Sequence, residues 1–126
     1  MTLAPVLRAA VVTLALARAA AAPVDYNRDV QPILAENCFS CHGFDEKGRK
    51  AKLRLDLADT AHATRENGVP FKPRDPAGSE AWQRIISPHA DEVMPPPEYH
   101  RTLTAAQKET IRTWIEQGAS YARHWS

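Results

Sequence analysis

The chain has 126 residues and a formal net charge of +1, which fits one small domain and argues against nucleic acid as a partner. Its aromatic residues are not interleaved with basic ones, which points the same way. Ten prolines against five glycines predict helices joined by stiff loops, and a core this small is marginal unless something else staples the chain.

Residues 1–22 read as an export signal. Arg8 supplies a positive charge, Ala9 to Ala17 form a short apolar run, and A-x-A patterns follow at Ala17–Ala19 and Ala19–Ala21. Arg18 interrupts the end of the run, which is too short to span a bilayer. No cysteine sits there to take a lipid. The expectation is a periplasmic or otherwise exported protein whose signal is removed, an uncleaved anchor being the lesser alternative, and whose working domain is 23–126. Losing Arg8 and Arg18 takes the basic count from 16 to 14 against 15 acidic residues, a charge of −1.

Val30, Ile33, Leu34, Cys38 and Cys41 fall on a 3.6-residue stripe, so an amphipathic helix is expected from Asp29 to Cys41. Asn27 or Asp29 is placed to cap it, and Pro32 is tolerable in its first turns. The helix delivers Cys38-Phe39-Ser40-Cys41-His42 at its C-terminal end, and Gly43 breaks it. This C-x-x-C-H run is the signature of covalent haem attachment. On one helical turn both thiols and the imidazole project together, so two sulfurs can join the macrocycle while His42 ligates its iron. A zinc site wants a second pair of ligands, which the sequence lacks. A thioredoxin-like redox pair wants a preceding strand, and a plain disulfide leaves His42 unexplained. Bacterial thioether attachment takes place outside the cytoplasm, in agreement with the export signal.

Asp45 to Arg54 is highly charged and reads mainly as a solvated loop. Arg54 is the exception, a candidate partner for haem propionates or an acidic surface. Leu53, Leu55 and Leu57 alternate inward beside it as core or haem-edge packing. A short helix is expected from Asp56 or Asp59 through Arg65, ended by Asn67-Gly68, with His62 on its surface. Val69 to Gly78 is a proline-stiffened loop. Ser79 or Asp75 then caps a helix with Trp82, Ile85 and Ile86 on one side.

Met94-Pro95-Pro96-Pro97 is the second informative stretch. Apart from Met1, Met94 is the chain's single thioether, and three prolines after it predict an extended strap that presents the sulfur at fixed depth. Iron between His and Met is the pattern of electron carriers, the soft sulfur raising the potential. His89 and His100 flank the strap as rival sixth ligands, and either would lower the potential. The clearest helix runs from Leu103 to Gly118, with a Thr104/Gln107 capping box and a face of Ile111, Trp114 and Ile115. It is expected to pack on the haem-bearing helix through Trp114. Tyr121 to Ser126, with Trp125, reads only as a tail.

These residues together resemble class I-like cytochromes c, and more narrowly the planctomycete-type cytochrome c domain. The matching pieces include Asn27-Arg28-Asp29-Val30-Gln31-Pro32-Ile33-Leu34, the C-x-x-C-H run with Gly43, Leu53-Arg54-Leu55-Asp56, Met94-Pro95-Pro96-Pro97, Trp114-Ile115-Glu116-Gln117-Gly118-Ala119 and His124-Trp125. The resemblance implies an all-α fold, a small cytochrome c-type helical shell wrapped around one covalent haem c. It also implies attachment through Cys38 and Cys41, with His42 proximal and Met94 distal to the iron. The function implied is electron carriage, with redox proteins as partners and neither a catalytic residue nor a small-molecule substrate. In that family the domain usually opens a longer exported protein, so association with a membrane or with larger fused domains is open. The alternative is a haem enzyme or gas sensor with a labile distal ligand. A haem-free zinc or scaffold module is the third reading.

Overall fold

The computed structural model describes residues 1–5, 9–14 and 22–122. Arg8, Arg18 and the small residues up to Ala21 therefore lie outside the described residues, as do His124 and Trp125. The elements are helical. Among the described residues there is no strand, only isolated bridges at Arg65–Gly68 and Val69–Ser79.

A π-helical turn, Tyr26–Val30, leads into α1, Gln31–Asn37. The expected caps were Asn27 or Asp29, and the structure corrects this to Asp25. Its carboxylate accepts from Arg28 N at 2.7 Å, and its own N–H donates to Asp29 Oδ2 at 2.9 Å. Asp29 lies in the first turn, where its ion pair with Arg28 and the Asp25 N–H hold its carboxyl down to about 2. Pro32 sits in the first turn of α1, where a missing N–H costs little. Val30, Ile33 and Leu34 are buried. The helix stops at Asn37 rather than Cys41.

The middle of the chain is less helical than its pattern predicts. α2 is only Ala58–Ala61, and its cap position is Leu57 rather than an aspartate. Arg65 and Gly68 then exchange two backbone bonds of 3.0 Å, with Gly68 at φ +117°. That tight turn ends any helix well before the expected Arg65. The 69–78 loop holds a fully buried Phe71, whose N–H bonds to Ala61 O at 2.9 Å. α3 is Glu80–Ile85 and buries Trp82 and Ile85. Ile86 lies just past its end and is 45% exposed, so it does not join that face. Ser79 occupies the cap position, but its hydroxyl is spent on the Lys72 N–H and the Asp75 carbonyl, both at 2.8 Å.

α4, Ala105–Glu116, matches its sequence signals closely. Thr104 Oγ1 accepts from Gln107 N at 3.1 Å, and Gln107 Oε1 accepts from Thr104 N at 2.9 Å. Ile111, Trp114 and Ile115 are buried, and Gly118 at φ +114° turns the chain away. Thr104→Ala is expected to cost about 1 kcal/mol, read as a lower denaturant midpoint with unchanged slope.

α4 packs on the Tyr26–Val30 turn at the head of α1. Trp114 is central: its ring centroid lies 5.9 Å from Tyr26, 5.2 Å from Phe71 and 5.4 Å from Tyr121, and its indole N–H donates to Ser120 O at 2.9 Å. Two expectations change here. Tyr121 is no loose tail, since its hydroxyl donates to Leu55 O at 2.6 Å and its ring lies 4.6 Å from Tyr26. His62 is half-buried rather than on the surface, bonded through Nε2 to Ala119 O at 2.8 Å. Burial, reinforced by Asp56, pushes the Tyr26 phenol up to about 12, and burial raises Tyr121 as well. Both folded-state values lie above the unfolded value of about 10, so this stability is complete below that pH and is lost as pH rises towards 12. Denaturation followed across that range is expected to show an alkaline decline that Tyr121→Phe flattens.

Candidate haem site

The C-x-x-C-H run leaves α1 and closes one further turn on itself. Cys41 N and His42 N both donate to Cys38 O, at 3.2 and 2.8 Å. The three side chains therefore share a helical turn, as their spacing predicts, although the regular helix has already ended at Asn37. Gly43 is buried, and a β-carbon there would collide with the Phe39 carbonyl, so only glycine lets the chain leave the turn this way. The exit segment is then tied back: Lys50 N donates to Cys41 O at 2.7 Å, and Leu55 N to His42 O at 2.8 Å.

Cys38, Cys41, His42 and Met94 all line one cavity of about 490 Å³. That volume lies within the range of sites built for a sizeable organic ligand. Its apolar wall includes Leu53, Leu55, Pro70, Phe71, Ile85 and Pro95. Met94 arrives from the opposite end of the sequence and is anchored by its N–H to Arg84 O at 3.2 Å. The strap differs from the uniform extended run expected. The Met94–Pro95 bond is cis, Pro96 is extended at φ −59°, ψ 142°, and Pro97 already opens a 3₁₀ turn, Pro97–Tyr99. His89 and His100, the rival ligands, are exposed and do not line the cavity.

The donor chemistry suits a haem. His42 Nδ1 lies 3.2 Å from Lys50 O. A carbonyl can only accept, so the ring carries its proton on Nδ1 and keeps the Nε2 lone pair free. Burial lowers the pKa of His42, with the charges of Arg65 and Arg84 acting in the same sense, so the imidazole is neutral as a metal ligand must be. The Cys38 thiol is pushed up to about 12 by burial and by Cys41. It is not set up as a reactive thiolate, which argues against thiol redox chemistry. Among the described residues no three His, Cys, Asp or Glu side chains are disposed to hold an ion, so the thiols are not gathered as a zinc centre needs.

Residues 38–98 match the family model of Planctomycete cytochrome C. Over that stretch the chain is similar to planctomycete cytochromes c. The matched stretch runs from the first thiol of the motif to the turn just beyond the methionine strap, and so takes in all four candidate haem residues. Cytochromes c transfer electrons through haem, and the match points to that general class of activity. No curated protein and no solved structure matches the chain.

The surroundings of the candidate haem site were only partly foreseen. Leu55 is buried and Leu53 half-buried at the cavity, but Leu57 is 42% exposed, so the alternation fails at its third member. Arg54 is engaged by Asp56 through two bonds of 3.0 and 2.6 Å, which leaves it no clear role towards propionates. Lys47, Lys50 and Lys52 are exposed, as a solvated loop requires. The cavity arginines are instead Arg65, Arg84 and Arg101, none of them in a recognisable motif. Arg101 reaches back to Glu36 O at 2.7 Å and Ser40 Oγ at 3.3 Å, and so joins the strap side of the cavity to the thiol-bearing turn. Periodicity carries no signal for such long-range ties.

Proposed function

We propose that the chain is an exported one-electron carrier. One haem c is joined to Cys38 and Cys41, with His42 and Met94 as its axial ligands. The observation that carries this reading is the meeting of both thiols, the imidazole and the single mature thioether at one cavity. When bound, the haem supplies the ferrous–ferric change. The protein's own part is to hold both ligands in place and to exclude water, which keeps reorganisation small on electron transfer. Lys50 O orients His42, Arg84 O anchors Met94, and the leucine and phenylalanine wall keeps the site apolar. The helical shell then wraps the haem, residues 1–22 direct export, and 23–126 form the carrier. Other redox proteins are its partners, and a membrane or further domains would tether it near them. Among the described residues no helix is long and apolar enough to cross a membrane.

The test is an absorption spectrum of protein from the exported fraction, with carbon monoxide added to the reduced form. A carrier with both positions filled resists the gas at neutral pH. Rapid binding would place the chain among open-site haem proteins. Met94→Ala is expected to keep the haem attached, because the thioethers are untouched, while it opens the sixth position and lowers the potential. A redox titration beside the gas-binding assay reads both effects.

A further inference from the structure

The segment after the C-x-x-C-H run contains a strained turn. Ala51 and Lys52 both have left-handed backbones, at φ +54° and +53°. Leu53 N donates to Lys50 O at 3.1 Å and closes the four-residue turn around them. Two central residues at positive φ are comfortable as Asn-Gly, whereas alanine and lysine resist that region because of their β-carbons. The strain stands at a functional place, since the carbonyl at the head of this turn, Lys50 O, is the one that meets His42 Nδ1 at 3.2 Å.

We propose that Arg65 is a positioning residue for His42, clamping the Ala51–Lys52 turn so that the Lys50 carbonyl stays on the imidazole. Its Nη2 donates to Ala51 O at 2.5 Å, and its Nη1 approaches Lys52 O at 3.5 Å. The fork spans two successive carbonyls across 14 residues of sequence. Arg65 is itself held rigid, because its backbone exchanges two bonds of 3.0 Å with Gly68. Among the described residues it makes no ion pair, so its guanidinium is committed to these carbonyls. Without the clamp, the turn relaxes from its left-handed geometry and Lys50 O swings off Nδ1. The bond from Nδ1–H to a carbonyl makes an imidazole more electron-donating through its other nitrogen. Arg65 therefore acts on the iron through His42. That last consequence rests on the proposed function, but the clamp itself does not.

The experiment uses the full chain from the exported fraction and two substitutions outside the ligand set. Arg65→Lys keeps the charge but cannot fork across two carbonyls. Lys52→Gly removes part of the strain that the clamp opposes. In Arg65→Lys, solvent exchange of the His42 Nδ1 proton, followed by NMR in the reduced protein, should be about tenfold faster or more. In the Lys52→Gly background that acceleration should shrink, because the two substitutions act on one turn. The potential should rise in Arg65→Lys, since a weaker donor stabilises ferric iron less. Unchanged exchange, or equal acceleration in both backgrounds, overturns the proposal. A potential that stays put while exchange accelerates overturns the step from His42 to the iron and leaves the clamp standing. A chain that carries no haem would count against the proposed function, and proton exchange would still decide the clamp.

Discussion

Trp114→Ala is expected to destabilise the folded chain by about 3–5 kcal/mol. The ring is 2% exposed and touches three other aromatics, so truncation leaves a large void between α4, the Tyr26–Val30 turn and the 69–78 loop. These come from distant parts of the chain, and α4 has no other aromatic residue to hold them together. The indole N–H also donates to Ser120 O, so its removal leaves a carbonyl without that donor. Small domains have only about 5–15 kcal/mol in total, so the variant should lie close to its unfolding threshold. Chemical denaturation measures this directly. A loss below about 1 kcal/mol would place the ring outside the core.

His42→Ala is expected to abolish accumulation of the haem-bearing form. On the proposed ligation, iron would lose its proximal ligand, and Lys50 O would lose its contact with Nδ1–H. The two thiols would remain, but a macrocycle held at its edge alone has nothing to fix its iron within the cavity. The contrast with Met94→Ala is the useful one, because the two substitutions sit on opposite segments of the same cavity. Haem-specific staining of the exported fraction separates them: the methionine variant stains and the histidine variant does not. A red, fully assembled His42→Ala protein would remove the proximal assignment.

How legible the sequence was depends on the range of the interaction. α4 could be read almost to the residue, because its capping box, apolar face and closing glycine are all local. The C-x-x-C-H turn was legible for the same reason, since five adjacent residues define it. The helix expected from Asp29 to Cys41 was right in kind but displaced. Asp25 captured the cap by accepting from Arg28 N while its own N–H donates to the Asp29 carboxylate, and the regular helix gave way at Asn37. Phe71 and Tyr121 were missed because each lies in a segment with no periodicity. Phe71 is buried through its edge-on contact with Trp114, and Tyr121 is fixed by the Leu55 carbonyl.

The sequence by itself supplied the candidate donors: two thiols, an imidazole and, apart from Met1, a single thioether, each on a stretch whose local geometry is fixed by spacing or by proline. Only the tertiary structure decided what surrounds them. It brought Met94 to the same cavity as His42, left His89 and His100 outside it, and chose Arg65, Arg84 and Arg101 over Arg54 as the cations at its wall. It also put Lys50 O on the imidazole by way of a turn that no propensity favours. The physical reason is that side-chain identity and short spacing are local properties, whereas a shared cavity depends on backbone bonds between segments far apart in the chain, and those form only when the whole core closes.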